Sequence, residues 1–315
     1  MKIAILDKET LGLDIDLSPL RALGETAEFN ITPPELVAER ISDADVVVIN
    51  KIKLNASNLS GAKNLKLICV AATGYDNIDT AFCSAHGIAL ANVPGYSTHS
   101  VAQLTVAMAL SLATHLTEYR DYVHSGKYSA SGVANCLTPV YHDVAAMTWG
   151  VVGGGGIGGR VAEIARAFGC RVMVCRRKNE GDFPLVDIDT LCRECDIISL
   201  HVPLSDSTRG MISRERIATM KKNAIVINVA RGAVTDESAL AEAVLEGRIG
   251  GLGVDVYSKE PFGEDHPFYS IRHLDNVLLT PHMAWGSSES RARCVDEMAK
   301  NIRAFFAGES RNRIV

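Results

Sequence analysis

Short runs of apolar, often β-branched residues alternate with stretches of helical periodicity from one end of the chain to the other. Runs at residues 2–6, 46–50, 67–71, 89–92, 149–152, 171–175, 197–201, 224–228, 251–255 and 277–279 read as strands. Helical spacing falls between most of them, and this βαβ rhythm predicts parallel sheets covered by helices. A long helix expected over residues 101–119 is followed by the polar, turn-rich segment 125–139, which reads as a loop or excursion. The strand at Trp149 then opens a second βαβ series, which Pro281 ends. Residues 288–306 form a last amphipathic helix with Cys294, Val295, Met298, Ile302, Phe305 and Phe306 on one face. Gly308 is placed to stop it. The expected fold is α/β, with two doubly wound parallel-sheet domains. The central one, residues 99–282, is inserted into one built from residues 1–98 and 283–315.

Composition narrows the function classes. A length of 315 residues suits two domains, and 47% apolar with 22% charged residues is ordinary for a folded globular protein. A net charge of −5 offers no basic field to nucleic acid or anionic membranes. An anionic substrate therefore needs its positive charge from a specific Arg or Lys. No segment reads as a signal peptide or membrane span, since the apolar opening stops at Asp7-Lys8-Glu9 and residues 101–113 contain Gln103, Thr105 and Ser111. Eight cysteines without a secretion signal predict free thiols and a cytoplasmic protein. Cys192-Arg193-Glu194-Cys195 spells C-x-x-C but lacks a second pair at zinc spacing. It reads as two packed thiols where a helix runs into a strand, and no metal is expected.

Trp149-Gly150-Val151-Val152 leads into Gly153-Gly154-Gly155-Gly156-Ile157-Gly158, a G-x-G-x-x-G directly after a strand. Helical spacing follows at Ile157, Val161, Ile164, Ala165 and Phe168. Gly153 is suited to the tight turn, Gly155 to close approach of a pyrophosphate, and Gly158 to close packing of helix on strand. Free amides at the helix start then face the phosphates. A glycine run alone also fits a flexible linker; strand, loop and helix in the required order favour a dinucleotide. The next strand runs into Arg176-Arg177-Lys178, where an NAD site usually places a carboxylate for the ribose hydroxyls. Guanidinium instead holds a 2′-phosphate by charge-assisted bonds. NADPH is the expected cofactor, with NADH as the alternative; the bland reading is a solvated basic turn.

Three more segments follow strands at one edge of the second series: Asn228-Val229-Ala230-Arg231-Gly232, then Asp255-Val256-Tyr257-Ser258-Lys259-Glu260-Pro261, then Thr280-Pro281-His282-Met283-Ala284-Trp285. Singly, Arg231 reads as a surface ion pair, Glu260 as a turn residue and His282 as a buried structural histidine. Together, beyond a dinucleotide loop, they make a keto-acid site.

With these segments, the chain resembles the D-isomer-specific 2-hydroxyacid dehydrogenase family along nearly its whole length. Further matching stretches are Ala72-Thr73-Gly74-Tyr75-Asp76-Asn77-Ile78-Asp79, Asn92-Val93-Pro94-Gly95-Tyr96-Ser97 and His201-Val202-Pro203-Leu204. The resemblance implies a Rossmann cofactor domain inserted into a flavodoxin-like substrate domain, and a homodimer. It implies that Arg231 clamps the substrate carboxylate and carbonyl, and that His282 is the general acid–base. Glu260 orients His282 and favours its charged form. Asp255 is assigned to the nicotinamide carboxamide, and Gly156, Ile157, His201, Pro203 and Ala230 to the cofactor. Thr73, Gly74 and Lys51 are assigned to the substrate. Trp285 resembles the hydroxypyruvate and glyoxylate reductase branch, where an indole narrows the pocket; it also reads as a packing residue. Two alternatives stay open: the same chemistry on phenylpyruvate or branched-chain keto acids, and a cofactor-sensing binding protein, since the family includes transcriptional corepressors. Those carry long tails, and this chain is expected to stop at Val315, just past its last helix.

Overall fold

The structure, a computed structural model, describes residues 1–177 and 182–315, so Lys178 of the basic turn lies outside the described residues. The chain divides into two compact units, Met1–Ser97 with Trp285–Val315, and Thr98–Ala284.

In the first unit β1 (Lys2–Ile5), β2 (Glu25–Glu28), β3 (Val46–Ile49), β4 (Leu67–Val70) and β5 (Ala89–Ala91) form a parallel sheet in the order β2-β1-β3-β4-β5. β3 and β4 are buried at every residue, which explains their unbroken apolar sequences. β2 escapes sequence reading because Glu25-Thr26-Ala27-Glu28 is an edge strand with no residue fully buried. Helix Ser288–Phe306 closes one face of the sheet, setting Cys294, Val295, Met298 and Ile302 against Ile3, Ile5, Val46, Val48, Leu67 and Cys69. Truncating such a side chain, Met298 for example, costs about 2–5 kcal/mol. Phe306 departs from the expected face and is 45% exposed. The helix stops at Gly308, whose φ of +81° and bond to the Phe305 carbonyl form the left-handed stop.

In the second unit β6 (Thr148–Val152), β7 (Arg171–Cys175), β8 (Ile197–Leu200), β9 (Ile225–Asn228), β10 (Gly251–Val254) and β11 (Val277–Leu279) make an all-parallel sheet. Its order, β11-β10-β9-β8-β6-β7, reverses the direction of winding between β6 and β8, where ligands bind in such sheets. The helix expected over residues 101–119 is instead two, Thr98–Ala113 and Leu116–His124, broken at His115 in a left-handed conformation (φ 52°). His115 is held there by Glu118, 2.9 Å from its Nδ1. No Gly or Pro marks the break, so periodicity runs across it. Residues 125–139 include a short helix, Lys127–Ser131.

Among the described residues no single helix is long and apolar enough to cross a membrane, and no group of His, Cys, Asp or Glu could hold a metal. All eight cysteines are free. Burial pushes the thiols of Cys192 and Cys195 up to about 12, so the C-x-x-C pair is inert packing.

Candidate active site

The glycine loop connects β6 to helix Gly156–Ala167. Gly153 turns the chain at φ +100°, and its N–H donates to the Cys175 carbonyl at 2.8 Å. A side chain at Gly158 would collide with the Gly153 carbonyl, so helix and strand meet at a distance only glycine permits. The side-chain position of Gly155 has nothing within 4 Å, and Gly154, Gly155 and Gly156 are exposed, with Ile157 half-buried. A tight turn, an open backbone face and a helix amino end together fit a dinucleotide pyrophosphate.

Gly154 has a role that its "x" position in the motif hides. A methyl there would lie 2.7 Å from Cδ of Arg176, so the half-buried arginine lies across the loop where a larger residue would displace it. Arg177 is exposed, and its Nη2 donates to Ser207 Oγ at 2.7 Å.

His201 follows β8. Trp149 Nε1 donates to Ser199 Oγ at 3.0 Å, and the same hydroxyl lies 3.0 Å from His201 Nε2. Burial pushes His201 down to about 3, keeping it neutral. Its Nδ1 is inaccessible to solvent and has no partner among the described residues. Pro203 is exposed, with Thr208 Oγ1 on its carbonyl at 2.6 Å, and Ala230 is buried with its amide on Asn228 Oδ1 at 3.0 Å.

β9, β10 and β11 are neighbours, so their carboxyl ends deliver Arg231, Glu260 and His282 to one edge. Asn228 Nδ2 donates to the Arg231 carbonyl at 2.9 Å, fixing that turn. The next residue, Gly232, abuts Ser258 and Tyr257 so closely that a side chain would collide with both backbones. Glu260 Oε1 accepts from the Tyr257 amide at 3.0 Å, and Oε2 lies 2.7 Å from His282 Nδ1. The two side chains keep 30% and 21% exposure, so the pair is reachable. With Nδ1 committed to the carboxylate, Nε2 is the nitrogen left to exchange a proton.

His282 is itself in the left-handed region, φ 53°, a conformation costing about 1–3 kcal/mol for a non-glycine residue. Its neighbours hold it there. The Thr280 carbonyl accepts from the His282 amide at 3.0 Å and from the Tyr257 hydroxyl at 2.8 Å. Asp255, 1% exposed, accepts from Thr280 Oγ1 at 2.6 Å and from the amides of Met283 and Ala284 at 2.8 and 2.9 Å. Burial pushes the Asp255 carboxyl up, against the pull of these donors. These bonds fill three of about four acceptor positions and leave one on Oδ2 for a further donor. The place of Asp255 is chiefly under the His282 loop.

The remaining assigned residues lie in the other unit. Lys51 is exposed after β3, its amide on Asp7 Oδ2 at 2.6 Å. Asp7, overlooked in the sequence, also accepts from the Asn50 amide and so ties the end of β1 to the turn after β3. Its one sequence signal is a carboxylate ending an apolar strand. Thr73 is exposed, with Oγ1 on the Val93 carbonyl at 2.9 Å, and Gly74 is half-buried. Trp285 packs against that unit's core, edge-on to Tyr96 with centroids 6.2 Å apart.

Residues 106–284 match the family model described as "D-isomer specific 2-hydroxyacid dehydrogenase, NAD binding domain". The chain is 36% identical to a glycerate dehydrogenase of Methylorubrum extorquens, covering 99% of this chain and 98% of that one. It is 37% identical to a hydroxypyruvate reductase of Thermotoga maritima, over 94% of each. Among solved structures, an acyclic imino acid reductase (Bsp5) in complex with NADPH and D-Arg superposes with a TM-score of 0.87 at 28% identity, both chains fully covered. The chain therefore belongs to the D-isomer-specific 2-hydroxyacid dehydrogenases, nicotinamide-dependent oxidoreductases that interconvert 2-keto acids and D-2-hydroxy acids.

Proposed function

We propose that the protein is an NADPH-preferring reductase of a small 2-keto acid, hydroxypyruvate or glyoxylate. The observation that carries this reading is the His282–Glu260 pair, 2.7 Å apart, on the same sheet edge as Arg231 and in the unit that holds the glycine loop. When bound, the nicotinamide supplies the hydride that reduces the carbonyl carbon. Arg231 holds the substrate carboxylate with its planar fork and polarises the carbonyl. His282 delivers a proton from Nε2 to the carbonyl oxygen, and Glu260 keeps the ring oriented. In oxidation the same nitrogen takes the proton back. We also assign Lys51 and the amides at Thr73 and Gly74 to the substrate carboxylate, and Trp285 to limiting side-chain size.

The NADPH preference rests on Arg176 lying over Gly154, beside Arg177. Gly153, Gly155, Gly156, Ile157 and Gly158 would hold the pyrophosphate, with His201, Pro203 and Ala230 along the rest of the cofactor. The same reading takes the protein as a cytoplasmic homodimer. Eight free thiols suit a reducing compartment. Leu116, Val123, Val133, Leu137, Val140 and Tyr141 are all exposed, and exposed apolar side chains this close in sequence suit contact with a second copy. A binding-only role is disfavoured by whole-length relatives named as a dehydrogenase and a reductase.

The test is kcat/KM for a panel of 2-keto acids with NADPH and with NADH. Hydroxypyruvate or glyoxylate with NADPH is expected to lead, and Trp285→Ala to improve phenylpyruvate relative to hydroxypyruvate. A wild-type preference for phenylpyruvate contradicts the substrate assignment, and absence of turnover with every keto acid contradicts the catalytic one.

A further inference from the structure

Beneath the catalytic edge lies a second carboxylate that the proposed chemistry does not use. Glu237 opens helix Glu237–Leu245 and is 9% exposed. Its Oε1 accepts from the Ser258 amide at 2.9 Å; its Oε2 accepts from the Ser258 hydroxyl and lies 3.1 Å from His266 Nε2. His266 is 8% exposed, packed among the rings of Tyr257, Phe262 and Phe268. Its Nδ1 accepts from the Phe268 amide at 3.2 Å, which places the ring proton on Nε2, facing Glu237. A carboxylate this buried is costly unless its acceptor positions are satisfied, and here every one of these bonds goes to residues 258–266.

That segment carries Glu260. Two successive amides serve the two carboxylates, with Tyr257 N–H holding Glu260 Oε1 and Ser258 N–H held by Glu237 Oε1. The two bonds thus anchor neighbouring peptide planes of one loop. Gly232, pressed against the same two residues, joins this point to the turn that carries Arg231.

We infer that Glu237 is a positioning residue, which through Ser258 and His266 fixes the loop that aims Glu260 at His282. The inference rests on the reading of Glu260 and His282 as the acid–base pair. Glu237→Gln tests it: the amide oxygen can still accept from Ser258, but its NH2 group meets the N–H of His266. The measurement is a double-mutant cycle of kcat with Glu237→Gln, Glu260→Gln and both together, plus cofactor affinity by fluorescence titration. Glu237→Gln is expected to lower kcat by ~10–100-fold, as a misplacement of catalytic groups does, with cofactor affinity unchanged. In the Glu260→Gln background it should cost little more. Losses that multiply, or a wild-type kcat in Glu237→Gln, overturn the positioning role. A wild-type kcat in Glu260→Gln instead overturns the reading of the pair. If Glu237→Gln does not fold, Ser258→Ala, which deletes only the hydroxyl bond, takes its place in the same cycle with the same outcomes.

Discussion

Nδ1 of His282 lies 2.7 Å from Oε2 of Glu260, although 22 residues separate them in sequence. The contact is a consequence of parallel topology. β10 and β11 are neighbours, so the loops that leave their carboxyl ends emerge at the same edge. The left-handed turn at His282, tied down by Asp255 and Tyr257, then sets the ring against the carboxylate.

Arg231 should not tolerate its nearest charged substitute. Lysine keeps the charge but loses the planar two-point contact with carboxylate and carbonyl. Arg231→Lys is expected to raise KM for the keto acid and lower kcat, reducing kcat/KM by roughly ten- to a hundred-fold. Cofactor affinity, measured by titration, should hardly move. Near-normal turnover would remove Arg231 from the site.

Cofactor choice should depend on Gly154 as well as on Arg176. Arg176→Asp is expected to shift the NADPH-to-NADH ratio of kcat/KM toward NADH by roughly ten- to a hundred-fold, the worth of one or two charge-assisted bonds. Gly154→Ala displaces the Arg176 side chain without touching its charge, because the added methyl would lie 2.7 Å from Cδ. It should shift the ratio in the same direction, by less. A wild-type protein that uses both cofactors equally well contradicts this assignment.

His201 should make the fold sensitive to acid. Its folded-state value is about 3 against an ordinary 6.5, because burial disfavours the charged ring. The unfolded chain therefore gains a proton on acidification that the folded chain does not take. Stability falls as pH drops below 6.5, and the loss is complete near 3. Between pH 7 and pH 5 the difference is on the order of 1–2 kcal/mol. Urea unfolding at both pH values should show the wild type losing more than His201→Asn. Equal losses would mean that His201 is solvated in the folded protein.

Much of this architecture was legible because parallel strands buried on both faces have unbroken apolar sequences, as β3 and β4 do, or nearly so, as in β8 and β9. β2 was not, since an edge strand of Glu25-Thr26-Ala27-Glu28 carries no such run. The break at His115 was hidden because neither Gly nor Pro announces it. Within the site, Arg231, Glu260 and His282 stood out because each follows a strand in a recognisable segment. The partners that hold them did not. Glu237 and Asp7 act through contacts made only on folding, with Ser258 and His266 in one case and the amides after β3 in the other. Gly154 occupies a motif position open to many residues, and only the path of Arg176 explains it.

The central claim is that His282 delivers the proton and Glu260 holds it ready. Reduction needs a proton on Nε2, and the carboxylate 2.7 Å from Nδ1 sets which way the ring faces. The decisive measurement is kcat/KM for keto-acid reduction against pH in wild type, Glu260→Gln and His282→Ala. His282→Ala should fall by roughly 10²–10⁴-fold at every pH. Glu260→Gln, whose amide aligns the ring less firmly, should fall by roughly ten- to a hundred-fold, less than His282→Ala. If the Glu260→Gln profile overlays the wild type, or His282→Ala retains normal turnover, the account of the pair is wrong.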